Sequence, residues 1–227
     1  MARGNHSLPG METEAEKITA NLSSTARAYL SSLGLPNPDN DQKTAELIWY
    51  HALAIGYSPA YLADNTNGIR QDWPRIPLPM TRDLLVTSAA LGRQVAALLD
   101  TERSVPGVTS GNVRDDLKSI AVFMRVDGKP AIPEDGDLDV TVGWGHAGNG
   151  GVTMPGRGKL TQRNEGHFDV FLNERACWRN VPPSVWEYFI GGYQVIKKWL
   201  SYREKSLLGR GLTSEEVRYV TEMARRL

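Results

Sequence analysis

Cysteine, histidine and long apolar runs are scarce in this 227-residue sequence, which has one cysteine and four histidines. The lone Cys177 excludes an internal disulfide and a zinc site built from cysteines, and it fits a reducing compartment. No apolar run approaches the roughly 20 residues that a membrane-spanning helix needs. The opening MARGNHSLPG has no apolar signal-peptide core. We therefore expect a cytoplasmic protein with no membrane partner.

The composition is that of a folded globular protein, with 41% hydrophobic and 23% charged residues. Its length suits one large domain with an appendage. We predict a disordered lead over residues 1–20, a helical appendage with a proline-rich strap over 21–80, and an α+β domain over 81–227. The predicted fold class is α+β, with N-terminal helices, a small mainly antiparallel β-sheet, and C-terminal helices packed on that sheet.

The formal net charge is zero, but the charges are unevenly distributed. Residues 1–150 contain 13 Lys/Arg and 18 Asp/Glu, whereas residues 151–227 contain 13 Lys/Arg and 8 Asp/Glu. A basic C-terminal third is compatible with a nucleic-acid-binding face, although many solvated surfaces show the same imbalance.

Capping residues and apolar spacing predict the first two helices. A helix from Glu12 to Leu33 would end at Gly34, a common stop signal after a helix. Asp39 or Asp41 can cap a second helix that ends near Gly56. Its predicted apolar face consists of Ala45, Ile48, Trp49, Ala52 and Ile55.

Prolines and a threonine divide the next segment. Ser58-Pro59 predicts the start of a short helix over residues 60–65. Three prolines between Trp73 and Pro79 predict an extended strap that cannot pair within a sheet. Thr81 can cap a helix from Arg82 to Leu99, whose predicted apolar face consists of Leu84, Ser88, Leu91, Val95 and Leu98.

Apolar residues change to a period of two after Val105, which marks the start of the β part. Alternation predicts strands around Ile120–Val126 and Leu138–Trp144, and a further pair over residues 158–163 and 167–172. Thr213 and Glu216 form the sequence signature of a capping box at the last helix.

The stretch from Val181 to Glu204 is predicted to form a helix, a joint and a second helix. Gly191-Gly192 interrupts the helical spacing and marks the joint. The predicted apolar stripe consists of Phe189, Tyr193, Ile196 and Leu200, with Trp186 and Trp199 beside it.

A glycine-rich run, Gly143 to Gly148, has the spacing G-x-G-x-x-G of a dinucleotide-binding loop. The helix that such a site requires is not predicted after it, so a flexible loop is the favoured interpretation and no cofactor is expected. Arg157, Lys159 and Arg163 follow this run and could contact phosphates.

Other chemical motifs are weak. Asp115, Asp116 and Lys118, with Asp100 upstream, resemble part of a metal-dependent nuclease site, but their predicted positions do not bring the carboxylates together. His146 and His167 lack a third ligand, so no metal site is expected. His51 and Cys177 are best explained by packing.

A basic segment near the C-terminus has two interpretations that the sequence leaves open. Its cations, interleaved with Trp199 and Tyr202, could follow a phosphate backbone or could cover a solvated amphipathic helix. They are Lys197, Lys198, Arg203, Lys205 and Arg210.

Four motifs in order resemble the C-terminal specificity domain of type ISP restriction-modification enzymes: LIWYHALAIGYSPAYLADN, RQDWPRIPLP, TVGWGHAGNGGVTMPGRG and DVFLNERACWRNVPPSVWEYFIGGYQVIKKWLSYRE. The resemblance covers the chain from about Asn21 onward. In that family, one polypeptide carries a nuclease, a translocase, an adenine methyltransferase and this domain. The resemblance implies sequence-specific recognition of duplex DNA, with a methyltransferase/translocase polypeptide as partner and with catalysis elsewhere.

The catalytic signatures of the full enzyme are missing: Asn37-Pro38-Asp39-Asn40 is not the N-P-P-Y methyltransferase motif, and neither a Walker lysine nor an S-adenosylmethionine loop is found. We therefore expect a specificity module that is not an enzyme. Phosphate contacts are predicted for Arg157, Lys159, Lys197, Lys198 and Arg203, and base-edge contacts for Arg163, Arg179 and Asn180. A small metal-dependent nuclease using Asp100, Asp116 and Lys118, or a protein–protein assembly domain, remains as an alternative.

Overall fold

The computed structural model describes residues 19–163, 166–190 and 192–227. It contains two compact units that divide between Ala97 and Leu98. The prediction of a disordered lead over residues 1–20 falls almost entirely outside the described residues, as does the first part of the predicted helix from Glu12.

The first unit is helical. It contains α1 (Ser24–Ser32), α2 (Gln42–Gly56), α3 (Pro59–Gln71) and most of α4 (Arg82–Leu99). The predicted caps Asp41, Ser58 and Thr81 each accept a hydrogen bond from a backbone amide in the first turn. Helix α1 begins at Ser24, because Ser23 acts as its cap, and α3 continues six residues beyond the predicted end at Asn65.

The buried faces of α2 and α4 lie about one residue away from the predicted faces. Buried positions are Thr44, Leu47 and His51 on α2, and Leu85, Ala89 and Gly92 on α4. A side chain at Gly92 would lie 1.8 Å from the Tyr50 carbonyl oxygen. The two helices therefore cross at a point where only glycine fits, and this contact sets the rotation of both helices.

Side chains in the first unit form hydrogen bonds to carbonyl groups of the extended proline strap. Tyr29 donates from its hydroxyl to Pro79 O at 2.7 Å. His51 Nε2 lies 2.8 Å from Pro77 O, and its Nδ1 lies 2.8 Å from Ser88 Oγ. Because a carbonyl can only accept, His51 donates from Nε2 to Pro77 O. His51 is thus a buried packing residue, as predicted.

The second unit is built on a four-stranded antiparallel sheet with the strand order β1-β6-β5-β4. Two small hairpins accompany the sheet: β2 pairs with β3, and β7 pairs with β8. The strands are β1 (Val122–Arg125), β2 (Gly145–Ala147), β3 (Thr153–Pro155), β4 (Leu160–Gln162), β5 (Phe168–Phe171), β6 (Ala176–Val181), β7 (Phe189–Ile190) and β8 (Tyr193–Gln194).

Helices of the second unit cover the sheet and complete its core. They are α5 (Asp115–Lys118), α6 (Pro183–Trp186), α7 (Val195–Ser201), α8 (Lys205–Leu208) and α9 (Ser214–Arg226). Helix α9 begins with the predicted capping box and contacts β1. The predicted α+β class with an antiparallel sheet is confirmed.

The prediction of a strand over Leu138–Trp144 is wrong. Leu138, Val140 and Trp144 are buried, which explains their alternation, but the backbone bonds to three different segments. Thr141 N donates to Leu172 O at 2.8 Å, while Leu138 O and Val140 O accept from Leu212 N and Lys205 N. The segment is a buried connection without a strand partner.

The prediction of two helices between Val181 and Glu204 is also partly wrong. Helix α6 is a single turn, and Phe189 and Tyr193 lie on opposite strands of the hairpin β7–β8 with most of their surface exposed. Because Ile190 pairs directly with Tyr193, the chain on both sides of the predicted joint is strand and not helix. Gly191 itself lies outside the described residues. Ile196 and Leu200 are buried on α7, as predicted.

Candidate DNA-binding surface

The glycine-rich run wraps around the buried Trp144 and the buried carboxylate of Glu204. Trp144 N donates to Glu204 Oε1 at 2.6 Å, and the backbone amides of Gly143 and Gly145 also bond to this carboxylate. Burial raises the pKa of Glu204, while these three amides partly oppose that shift. The Glu204 carboxylate thus accepts hydrogen bonds from the amides that would have to bind a phosphate, so this loop does not act as a dinucleotide site.

Close packing explains why several positions in this loop are glycine. A side chain at Gly145 would lie 1.8 Å from the Ser201 carbonyl oxygen on α7, and one at Gly156 would lie 2.0 Å from Gly143 O. Gly158 has φ +65° and lies against the Trp144 ring. The glycines hold β2, β3 and α7 together, which fixes the loop that follows.

Arg157 and Lys159 lie in that following loop, at an open cleft of about 760 Å³. Arg157 is exposed and, among the described residues, forms no hydrogen bond or ion pair. Lys159 pairs with Glu174, and its Nζ lies 4.8 Å from the Phe171 ring centroid. Arg157 is therefore the more available cation for a phosphate, whereas Lys159 would first have to leave Glu174.

Helix α7 carries the second group of predicted cations. Within the described part of the chain, Lys197 has no ion-pair partner. Lys198 Nζ lies 4.9 Å from the Tyr193 ring centroid and 4.6 Å from that of Tyr202. The aromatic faces attract this ammonium without neutralising it, so both lysines keep their positive charge available on α7.

Arg203 follows α7 and lies over the ring of Trp199 at 3.7 Å. Its Nη1 donates to Trp199 O at 3.1 Å, and its Nε is 3.4 Å from Glu216 Oε1. Glu216 also pairs with Arg210 at 2.7 Å, and that hydrogen bond is the main reason that its pKa falls to about 2. Arg203 therefore contributes to an internal ion-pair network beside Trp199.

The three residues predicted to read base edges lie around a bulge between β5 and β6. Asn180 has a left-handed φ of +59°, and its side chain donates to Ser119 O at 3.1 Å. Asp169 fills the bulge, accepting from Asn180 N at 3.2 Å and from Arg163 Nε at 2.8 Å. Arg179 donates to the carbonyl oxygens of Arg125 and Val126. All three side chains have internal partners, and their contact with bases stays a prediction.

The remaining chemical motifs do not assemble into a reactive centre. Lys118 pairs with Asp115 at 2.6 Å, and Asp116 and Asp100 pair with nearby arginines. In the part of the chain that the structure describes, no group of three or more His, Cys, Asp or Glu side chains could hold a metal ion. Cys177 is buried, and this burial raises the pKa of its thiol, as expected for a packing residue.

One exposed feature that sequence periodicity missed is the hairpin β7–β8. Phe189, Ile190 and Tyr193 expose 59%, 61% and 57% of their surface. Helical spacing had placed two of them in the core. The signal that could have identified them is the Gly-Gly pair between two short runs with aromatic residues, which is typical of a two-residue hairpin turn.

Membership in a protein family follows from comparison with known proteins. The model of the type ISP C-terminal specificity domain matches residues 4–225. The chain belongs to this family. Family membership confirms the predicted function, recognition of target DNA as the specificity domain of a restriction-modification system, and favours neither the nuclease nor the assembly alternative.

Comparison with solved structures adds a relative of low similarity. A chain described as "cryoEM structure DrdV-DNA complex" matches with 18% sequence identity and a TM-score of 0.48. The match covers 88% of this chain and 18% of that chain, so this chain spans less than a fifth of the length of that one. None of the curated proteins matches the chain. Among the described residues, no helix has the length and apolar character that crossing a membrane requires.

Proposed function

We propose that this chain recognises a specific duplex DNA sequence by placing the 156–159 loop and α7 against the DNA backbone. The observation that carries the proposal is the family match over residues 4–225. Arg157 and Lys197 support it, because both cations lack an acidic partner among the described residues and can approach phosphates without breaking an ion pair.

The chemistry of the system takes place outside this chain. A methyltransferase/translocase polypeptide supplies the modification and cleavage activities, and this domain directs it to the target site. The cytoplasm is the expected compartment. The internal pairing of Asp100, Asp115 and Asp116 supports a non-catalytic role, because these carboxylates do not converge on one point.

Selection from a random duplex library tests recognition directly. The purified chain should enrich one sequence, and its affinity for that duplex should fall steeply as salt rises, because bound lysines and arginines release counterions from the DNA. A library that shows no enriched sequence would contradict the proposed function. The same duplexes incubated with Mg²⁺ should stay intact, and cleavage that is lost in Asp116→Ala would support the nuclease alternative instead.

Salt dependence also tests the proposed phosphate contacts. Arg157→Ala and Lys197→Ala should each weaken binding to all sequences and reduce the slope of log K against log salt by about 0.9. Lys129→Ala is the matched control, since Lys129 is an exposed lysine paired with Asp127 in a turn. A slope equal to that of the unmodified chain would show that the altered residue makes no phosphate contact.

The bulge residues require a different measurement. If Arg179 reads a base, Arg179→Ala should change the enriched sequence at one position. If it only stabilises the turn after β1, the variant should melt at a lower temperature and enrich the same sequence as the unmodified chain. The second result would remove Arg179 from the proposed recognition surface.

A further inference from the structure

The hairpin β7–β8 presents large apolar side chains to solvent on a narrow ribbon. Phe189, Ile190 and Tyr193 are each more than half exposed, although burying such a side chain normally stabilises a protein. Three of them within five residues form a concentrated apolar surface, and such surfaces mark interaction sites. None of the contacts described above accounts for this exposure.

Both strands of the hairpin are attached to the core, one at the residues before β7 and the other at the residues after β8. Val195 N donates to Tyr188 O at 3.0 Å, and the Gln194 side chain donates to Trp186 O. Trp186 is buried and lies 5.5 Å from the Trp144 ring. On the other side, Ile196 begins the buried face of α7. The ribbon is therefore a projection from a rigid base.

The apolar residues lie on both faces of the ribbon. Ile190 pairs directly with Tyr193, so their side chains share one face. Phe189 pairs with Gln194 and therefore lies on the opposite face. A flat partner would bury only one of these faces. A groove that encloses the ribbon would bury the apolar residues on both faces.

The charge around the ribbon favours a polyanionic partner. Residues 188–203 contain three cations, Lys197, Lys198 and Arg203, and no acidic residue. Arg203 pairs with Glu216, so the two lysines supply the available charge. The flanking acidic residues are Glu187, which is exposed, and Glu204, which is buried against the loop amides. Lys198 also lies beside Tyr193 and so next to the ribbon itself. Exposed apolar side chains with lysines beside them are complementary to a groove that has phosphates along its edges.

We propose that the hairpin β7–β8 enters the major groove of the target DNA and contacts the methyl groups of thymines through Phe189 and Ile190. The major groove is about 12 Å wide and admits a two-stranded β-ribbon, and the thymine methyl is its apolar recognition feature. Lys197 and Lys198 reach the phosphates beside the groove. This inference rests on the proposed DNA recognition and names the residues that determine specificity at A·T pairs.

Replacing thymine by deoxyuridine tests the inference, because the change removes one methyl group and keeps base pairing. The probe is the duplex enriched by the unmodified chain, with deoxyuridine placed at each thymine in turn. Affinity should fall about fourfold at one or more positions, the effect expected for one buried methyl group. Phe189→Ala/Ile190→Ala should weaken binding to the thymine duplex and bind both duplexes equally.

Val126→Ala is the matched control, since Val126 is an exposed apolar residue at the turn after β1. It should retain the difference between the thymine and deoxyuridine duplexes. The deoxyuridine measurement on the unmodified chain requires no substitution and so does not depend on the folding of any variant.

Three outcomes would overturn the inference while leaving DNA recognition intact. The first is an unmodified chain that binds every deoxyuridine duplex as tightly as the thymine duplex. The second is a Phe189→Ala/Ile190→Ala variant that keeps the full difference. The third is a variant that binds DNA normally but no longer binds the methyltransferase polypeptide, which would identify a protein-docking ribbon. Failure to enrich any sequence would overturn both proposals.

Discussion

Glu204 should be a major source of stability in the second unit, and Glu204→Ala measures its contribution. The substitution removes the acceptor for Trp144 N, and leaving such a buried donor unsatisfied costs about 1–3 kcal/mol. It also removes one buried methylene group, at about 0.8 kcal/mol, because the β-carbon remains in alanine. The substitution also removes the cost of burying the Glu204 carboxylate, and this gain offsets part of the loss of stability. We expect the free energy of unfolding to fall by about 2 kcal/mol.

Urea denaturation followed by tryptophan fluorescence is a suitable assay, because Trp144, Trp178 and Trp186 are buried in the second unit. Exposed Glu187 provides the control, and Glu187→Ala should change stability by less than about 0.5 kcal/mol. Equal stability of the two variants would refute the structural role of Glu204.

The pH dependence supplies an independent check. The pKa of Glu204 is raised in the folded state by burial, so the protonated form favours folding. The stability advantage of the unmodified chain over Glu204→Ala should be largest below the unfolded pKa of about 4.5 and should decline as pH rises through the folded pKa. An advantage that grows with rising pH would contradict this account.

Two further predictions concern the same unit. Glu216 has its pKa lowered to about 2 by Arg210, so its contribution to stability should be lost as pH falls from about 4.5 towards 2. Arg210→Ala should weaken that dependence, because Thr213 N and Arg203 also lower the pKa of Glu216. It should cost only about 1 kcal/mol in urea denaturation at neutral pH, since Arg210 is half exposed. Gly145→Ala should lower the free energy of unfolding by about 2–3 kcal/mol, because the new methyl group would clash with Ser201 O. Gly143→Ala should lower it by only about 1 kcal/mol, because Gly143 has φ +80° but no atom near its added side chain. Equal melting temperatures for the two glycine variants would contradict the close-packing explanation.

Local chemistry allowed the sequence to predict the positions at which several helices begin. Thr81 and the pair Thr213/Glu216 satisfy the first amides of α4 and α9, and both helices begin where these caps indicate. Such signals depend on residues three or four positions apart, so tertiary structure does not alter them. The buried position of Cys177 was also predicted from residue type and context.

Contacts between distant segments account for the predictions that were wrong. The alternation from Leu138 to Trp144 indicates burial, but a strand also needs a partner strand. The backbone of this segment instead forms hydrogen bonds with Leu172, Lys205 and Leu212. These contacts between distant residues cannot be read from the local sequence pattern. The internal partners of Arg179 and Asn180 arise in the same way, because Arg179 bonds to carbonyl groups at the end of β1 and Asn180 bonds to Ser119. Residue type alone could not distinguish these side chains from ones available to DNA.

The strand order has a consequence for how the sheet assembles. Strands β4, β5 and β6 are consecutive in the chain, whereas β1 joins β6 across the 51 positions from Arg125 to Ala176. Closing a connection about ten times longer than a short turn costs about 2 kcal/mol more in chain entropy. The three-stranded meander should therefore form first and provide the edge on which β1 docks. Pulse-labelling hydrogen exchange should show amides of β5 and β6 protected before those of β1, and simultaneous protection would mean that the whole sheet forms in one step.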